Sequence, residues 1–495
     1  MAKEKFEEHR FDFRGGLNDH DSVVLLQPNE FSRLTNCVID APDGALKLRL
    51  GSRRLHQTAL LGRVTGVQQW NNAGTLQLVA IADGDLHYKT TDFGAFTNVS
   101  PAPAMAAQTA YFAPNRQNTS GAPLRLYITD GTYYWRWSGS ALTQIDGTDD
   151  LPTATDMVRA YHVRNFVRST LYPNNVFWSE LGDPEDGTQG LRTLGGSAMV
   201  DTLKGDPISA IEVVGSSLLI GTDNSIVRFT GYDSSDIQIN QDTEGISSTV
   251  GPVGRQCLVR AEKWAGMVAA TGIFAVSEAE ALLLSHKIST SFRALDRANL
   301  HKSVVQYHEG ARELWIAVPG ASDSGLNKTV FIYSLDLGIW YGPHTYSFGI
   351  VSMCKWEDSN GDEYVAAGCE DGYVRVLGYP TAGLDDVLYD ASGGSAVTAV
   401  ARLAPIYFNP GPGVRKVVHT FTLHSEEANV LVGVFVEGSA NSITTLITNT
   451  GEIEPYRTRA NLQGTMFEPQ LEWSGHATRI HGVSLFAYTT DRPSV

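Results

Sequence analysis

Cysteine is scarce in these 495 residues. Only Cys37, Cys257, Cys354 and Cys369 occur, and no two stand in a Cys-x-x-Cys or other zinc-ligand spacing. That argues against a disulfide scaffold and a thiolate metal site, and leaves buried reduced thiols as the expectation. Long apolar runs are missing too. No stretch reaches the length of a helical membrane span, and the charged opening MAKEKFEEHR lacks the apolar segment of a secretory signal. The expectation is a chain without membrane anchoring, made and folded in a cytoplasm. Basic residues are in deficit, 38 against 54 acidic, for a net charge of −16. Nearly all of the excess lies on residues 58–397, which hold 22 basic and 37 acidic side chains. An acidic body argues against tight or sequence-specific DNA binding, which sets Lys and Arg against phosphates. It leaves room for a surface along which DNA slides without adhering, and equally for simple solubility.

Catalytic signatures are absent as well. There is no Gly-Lys dipeptide and so no phosphate-cradling P-loop, no Gly-x-Ser-x-Gly elbow and no His-Glu-x-x-His.

What the chain has is repetition, written with many glycines (48) and few charged residues (19%). Seven times it gives a short apolar strand, a turn of Asp, Asn or Gly, and a second strand rich in aromatic and β-branched residues. The copies cover 76–96, 124–145, 165–181, 216–232, 266–285, 311–341 and 363–379. Their starts recur at about 45–50 residues, the spacing of radially repeated four-stranded blades. One hairpin cannot bury its apolar face alone, so such units gain stability by packing blade on blade. The expected fold is all-β: a β-propeller of six or seven blades, with an N-terminal arm and a C-terminal antiparallel β domain.

The expected boundaries are 1–57 for the arm or entry segment, 58–397 for the propeller and 398–495 for a β-sandwich-like domain. Within the arm, residues 30–36 are expected to form one or two helical turns capped by Asn29, before a turn at 41–44 and a strand at 45–50. The best helix candidate is 288–300, where Ile288, Phe292 and Leu295 share a face. Residues 234–254, rich in Ser, Asp, Gly and Thr, are expected to form an exposed loop. From about residue 397 the phrase changes, and strands are expected near 417–423, 430–436, 444–447, 470–473 and 480–488.

Several groups invite a chemical reading. His419 and His424 share an alternating strand, but a separation of five points them to opposite faces, which suits structural histidines better than a metal pair. Asp358-Ser359-Asn360-Gly361-Asp362 imitates the start of a calcium loop, yet Cys369 stands where a bidentate carboxylate is needed, and Asn360-Gly361 is a hairpin turn signal. Residues 90–97 resemble the structural Asp-box turn of sialidase-type propellers. A propeller glycosidase needs two converging carboxylates; Asp83, Asp85, Asp130, Asp223 and Asp371 each sit at a hairpin turn, which explains them without catalysis. The aromatics Tyr133, Tyr134, Trp135, Trp137, Trp340 and Tyr341 fit a core between blades better than a carbohydrate platform. The expected catalytic, cofactor-binding and metal-ligating residues are therefore none.

Two stretches go beyond architecture. Phe13-Arg14-Gly15-Gly16-Leu17-Asn18, then Leu26-Gln27-Pro28-Asn29-Glu30, Leu34-Thr35-Asn36 and Gly44-Ala45-Leu46-Lys47-Leu48-Arg49-Leu50-Gly51, resemble the opening of bacteriophage tail proteins. Asn174-Asn175-Val176-Phe177-Trp178-Ser179-Glu180 with Gly182-Asp183-Pro184-Glu185 is similar to a blade signature of the same group. The order that follows, through to Arg479-Ile480-His481-Gly482-Val483, resembles the tail-nozzle or packaged-DNA stabilisation proteins of short-tailed phages. Gln27-Pro28 replaces the usual double proline, and Leu48 and Leu50 flank Arg49 where basic residues are common.

The resemblance implies a structural virion protein and not an enzyme. It implies a homo-oligomeric, hexameric ring below a portal-associated adaptor ring, in contact with other tail proteins or fibres. Packaged DNA would be retained and then conducted through the lumen without specific binding. The protein would reside in the virion tail after assembly in the bacterial host cytoplasm. The alternative reading is a receptor- or glycan-binding propeller at the tail tip, marked by exposed aromatics with Asp and Asn gathered at one end. A propeller hydrolase is the third.

Overall fold

The computed structural model describes residues 6–40, 42–116, 123–145, 151–188, 194–202, 204–231, 238–240, 246–381, 383–408, 415–426, 429–436, 442–448, 454–474 and 479–489. The chain is all-β, and it folds as successive small antiparallel meanders of the β-propeller kind. Val64–Asn72, Thr75–Ala82, Asp85–Lys89 and Thr97–Val99 form the first, each strand bonded to the next. Four more four-stranded meanders follow, beginning with Tyr111–Asn115, Thr155–Tyr161, Ile208–Val214 and Leu258–Ala261.

The next sheet has seven strands and bends at one of them, the 19-residue Ile339–Glu357. Its first part pairs with Asn327–Ser334, behind which lie Glu313–Val318 and Val304–His308. Its second part pairs with Glu363–Cys369, followed by Val374–Tyr379. The outermost partner of Val374–Tyr379 is Gly51–Arg54, a strand that precedes the first meander in the chain. The leading strand of each meander touches the leading strand of the next, and Ile339–Glu357 touches Val64–Asn72. Each of the seven expected repeats contributes paired strands inside one of these units.

Aromatic side chains fill the wedges between neighbouring sheets, as the alternating aromatic strand predicts. Trp135, Trp137, Trp340 and Tyr341 are all buried. Trp137 stacks 5.1 Å from Tyr88 of the first sheet, and its indole N–H donates to Gln77 Oε1 at 3.2 Å. Phe166 and Trp178 of the third sheet meet Phe229 of the fourth at 5.1 and 5.6 Å. Large flat rings suit a gap that widens outward, and the indole N–H of Trp137 finds a partner inside it, whereas that of Trp178 is buried without one among the described residues.

The two ends of the chain do not stand apart as an arm and a separate domain. Leu46–Leu48 and Phe6–Phe11 both pair with Arg479–Thr489, in a sheet that also holds Cys37–Ile39, Lys416–Ser425 and Glu454–Gly464. Glu30–Thr35 pairs with Thr398–Leu403 in a second six-stranded sheet, which adds Gly16–Leu17, Phe467–Ser474, Asn429–Val436 and Ser442–Thr448. Leu34, Leu403 and Leu471 of one sheet share a core with Phe421, Leu423 and Leu485 of the other. That core continues into Ile316, Phe331 and Trp340 of the bent sheet.

Three local expectations are corrected. In the span 30–36, Glu30–Thr35 form a strand and not helical turns, because Phe31 and Leu34 are needed in the sandwich core and tertiary burial overrides local propensity. The span 288–300 buries Ile288, Phe292 and Leu295 as predicted, but only Ser289–Arg293 is α-helical. That helix ends at Ala294, and Asp296 caps a separate 3₁₀ segment, Arg297–Lys302, accepting from the Ala298 N–H at 3.1 Å. The expected loop 234–254 contains a strand, Gln238–Asn240, which edges the fourth sheet; residues 234–237 and 241–245 lie outside the described residues.

Replacing Trp137 with Ala removes the ring that fills the first wedge and takes the donor from Gln77 Oε1, while Gln77 Nε2 keeps Gly139 O at 3.0 Å. Denaturant unfolding is expected to show a loss of about 3–5 kcal/mol.

Candidate functional site

The opening residues that carry the family resemblance, from Gly15 to Gly51, converge on one place, the junction between the sandwich and the bent sheet, while the blade signature around Asn175–Trp178 lies apart on the third sheet. The Gly15 N–H donates to Asn29 O at 2.9 Å, and Asn18 Nδ2 donates to Glu30 Oε2 at 2.9 Å. Glu30, itself buried, also pairs with Lys287 Nζ at 2.9 Å. The opening phrase thereby folds back on its own turn and is tied to the short helical connector. Gly16 lies against the bent sheet so closely that an added Cβ would sit 2.7 Å from Ile339 Cβ.

Arg49 is the centre of the junction. Its guanidinium is buried, and Nη1 and Nη2 both donate to the Asp385 carboxylate. Nε donates to Asn36 Oδ1 at 3.1 Å, Nη1 to Leu50 O at 3.1 Å and Nη2 to Thr345 O at 2.9 Å. The plane lies 4.2 Å from the Tyr346 ring centroid. A rigid fork of five donors can satisfy several chain segments together, which lysine cannot do. Asn36 completes the node: its Nδ2 donates to Thr398 O at 2.8 Å, and its Oδ1 accepts from the Thr345 N–H at 2.9 Å. Gly51 follows where any side chain would collide, since a Cβ there would lie 1.7 Å from Leu384 O.

Beyond Gly51 the strand Gly51–Arg54 is held by charge as well as by backbone pairing. Arg54 and Arg375 both bond the Asp386 carboxylate, at 2.6–2.8 Å, and Arg375 also forks onto Asp371 at 2.7 Å. Burial works to raise the Asp386 pKa, but the hydrogen bonds and charges of Arg54 and Arg375 prevail and hold it below the usual carboxylate range. His56 Nε2 accepts from the Val374 N–H at 2.8 Å, so its Nδ1–H faces Thr58 O at 2.6 Å. Burial pushes His56 down to about 4. Lys89, 4% exposed, donates to Leu55 O and Asp92 O at 2.8 Å each, and burial pushes it down to about 7. These contacts join the first meander to the returning strand.

The groups singled out for chemistry are dispersed and used structurally. Asp130 accepts from the N–H groups of Ala106, Thr132 and Tyr133 and from the Trp135 indole, at 2.7–2.9 Å. Asp85 accepts from Asn98, and Asp371 is held by Arg375. Asp83 adopts a positive φ at its turn, and Asp223 lies on a different sheet. Asp358 Oδ1 accepts from the N–H groups of Asn360 and Asp362 at 2.9 Å each, which closes a hairpin. In the Asp-box-like turn, Asp92 accepts from the Ser359 N–H of the bent sheet and Phe93 lies 3.7 Å under the Arg53 guanidinium. A register shift between Val418 and Thr420 takes His419 out of strict alternation, where it bonds Thr420 Oγ1 at 2.7 Å.

Among the described residues no group of three His, Cys, Asp or Glu side chains is placed to hold a metal. The four cysteines are buried and free, and burial raises Cys354 and Cys369 to about 12. Asp385, Asp386 and Arg375 went unnoticed in the sequence. Asp385 and Asp386 meet Arg49 and Arg54 across more than 300 residues, which no local motif records, whereas Arg375 finds Asp371 only four residues away.

No protein-family model and no curated protein matches this chain. Solved structures of low similarity exist. BBS1N in complex with ARL6DN is 14% identical with a TM-score of 0.44, over 69% of this chain and 98% of that one. The N-terminal domain of Nup159 is 8% identical with a TM-score of 0.43, over 69% and 98%. PorZ, a surface component of the type-IX secretion system of Porphyromonas gingivalis, is 10% identical with a TM-score of 0.38, over 81% and 46%. At these scores the likenesses carry no argument about what this chain does.

Two outcomes follow from the junction. Arg49→Ala strands the Asp385 carboxylate in a buried site, so urea unfolding is expected to show a loss of about 3–5 kcal/mol. For His56, the folded pKa of about 4 lies below the unfolded value near 6.5. The unfolded chain therefore takes up the proton first, and the His56 contribution is present above pH 6.5 and lost as pH falls toward 4. His56→Gln is expected to flatten the fall in stability measured across that window.

Proposed function

We propose that the chain is a structural subunit of a bacteriophage tail, forming an oligomeric nozzle or tube-extension ring below the portal adaptor that retains packaged DNA and conducts it during ejection. We read its meanders as seven blades, the last shared with the sixth through Ile339–Glu357 and closed by the returning strand Gly51–Arg54. The observation that carries the proposal is the coincidence of motif and junction. Gly15, Gly16, Asn18, Asn36, Arg49 and Gly51, which bear the resemblance to phage tail proteins, are the residues that lock the two chain ends onto the sheets.

Charge and chemistry support the same reading. The acidic excess on 58–397 suits a channel wall that repels phosphates rather than one that grips them. The hairpin carboxylates serve turns and ion pairs on separate sheets, which suits a passive building block. Closed rings use heterologous interfaces, so two different faces of each subunit must complement one another. Exposed apolar residues occur in separate places that suit this, among them Val24 and Leu25 near the N-terminus and Leu171, Tyr172 and Met199 on the third sheet. The glycan-binding alternative is less well served, because the aromatic clusters are core.

Negative-stain microscopy of the purified chain, with native mass spectrometry, tests the proposal. Rings of about six copies are expected, together with specific antibody labelling at virion tails and no salt-resistant duplex DNA binding. A strictly monomeric particle that no tail antibody recognises would overturn it.

A further inference from the structure

A cavity of about 470 Å³ opens where the leading strands of the meanders begin. Thr109, Ile208, Gln256 and Ser303 line it from just before or at the start of four leading strands, and Ile350 lines it from the long bent strand. A smaller cavity of about 110 Å³ shares Gln256 and runs on beside Val67, Tyr111 and Val305. The larger one is of the size that encloses a small ligand.

Its charge is opposite to its surroundings. Four permanent cations, Arg63, Arg168, Arg255 and Lys302, line the mouth against two acids, Asp223 and Glu370, although residues 58–397 carry 15 more acidic than basic side chains. Two of the cations are aimed by a fully buried carboxylate. Arg255 Nη2 reaches Asp156 Oδ2 at 2.8 Å, and Arg168 Nη1 stands 3.4 Å from the same oxygen while donating to Ile208 O at 2.7 Å. Arg255 belongs to the fifth meander and Asp156 to the third, so the guanidinium spans the opening. The other two cations are uncommitted. Among the described residues, Arg63 is exposed with no ion pair or hydrogen bond, and Lys302 has only a 3.5 Å approach to Gly325 O.

The same cavity is lined by residues whose buried polar atoms have no partner among the described residues. Asn327, 3% exposed, spends its amide N–H groups on Lys302 O and Ile350 O at 2.7 and 2.9 Å, leaving Oδ1 unmatched. Ser303 Oγ, in a residue 1% exposed, and Gln256 Oε1 are unmatched as well. Buried acceptors are costly unless something donates to them. The cations ask for an anion, and the neutral acceptors ask for hydroxyl groups.

We propose that this mouth binds a small polyhydroxylated anion of the sugar-phosphate class, its phosphate on Arg63, Arg168, Arg255 and Lys302 and its hydroxyls on Asn327, Gln256 and Ser303. The site is independent of ring formation and of the tail reading, so either can fail alone.

Calorimetry on the full chain at constant ionic strength tests it with glucose 6-phosphate, glucose and inorganic phosphate. Glucose 6-phosphate is expected to bind at least tenfold more tightly than either of the other two. Arg63→Ser with Lys302→Ser, both exposed, should weaken it at least tenfold with an unchanged Tm, and Asn327→Leu should erase its advantage over inorganic phosphate. Binding of phosphatidylinositol vesicles in preference to free inositol phosphate would place the same chemistry on a lipid headgroup. Failure of both glucose 6-phosphate and inositol phosphate, free or on vesicles, to bind overturns the proposal. So does equal affinity for inorganic phosphate, or binding unaffected by the double substitution.

Discussion

The buried guanidinium of Arg49 is the interaction on which the rest of this architecture depends. A charge taken out of water is tolerated only when its donors are spent on good acceptors. Arg49 spends them on Asp385, Asn36, Leu50 and Thr345, groups drawn from the sandwich side, the bent sheet and the segment after it. No one of those segments can move without stranding the charge. The residues on either side then have their courses set: Leu46–Leu48 in the sandwich behind it, and Gly51–Arg54 along the last sheet ahead of it.

That arrangement makes the two chain ends hold one another. The sandwich is completed by strands from both termini, and the last sheet is edged by a strand that precedes the first meander. A linear array of meanders has two raw edges, each a row of unpaired backbone groups. Here the outer edge of Val374–Tyr379 is covered by Gly51–Arg54, and the cover is reinforced by the Arg54–Asp386–Arg375–Asp371 chain of charges. His56 and Lys89 extend the same seam to the first meander. Both are ionisable groups placed where burial disfavours their charge, which ties the integrity of the seam to protonation.

Much of this was legible in the chain. Strand–turn–strand phrases at nearly regular spacing located the middle of every meander, because alternation and turn chemistry are local properties. The aromatic run around Trp135 announced its burial for the same reason. The span 30–36 misled, since a segment behind a helix-cap signal at Asn29 became a strand once Phe31 and Leu34 were claimed by the sandwich. The partition into arm and domain misled for a related reason: pairing of Phe6–Phe11 with Arg479–Thr489 joins residues more than 450 positions apart, and no local pattern records that.

The amino-acid order by itself determined the all-β class, the seven hairpin phrases, the buried thiols and the acidic balance, because each arises from neighbours along the chain. Only the tertiary structure decided that the first strands finish both the sandwich and the final sheet. It alone brought four cations from four separate stretches of the chain to one mouth that also holds unmatched acceptors. Such meetings are fixed by packing and long-range register, and they leave no trace in the spacing of the residues that take part.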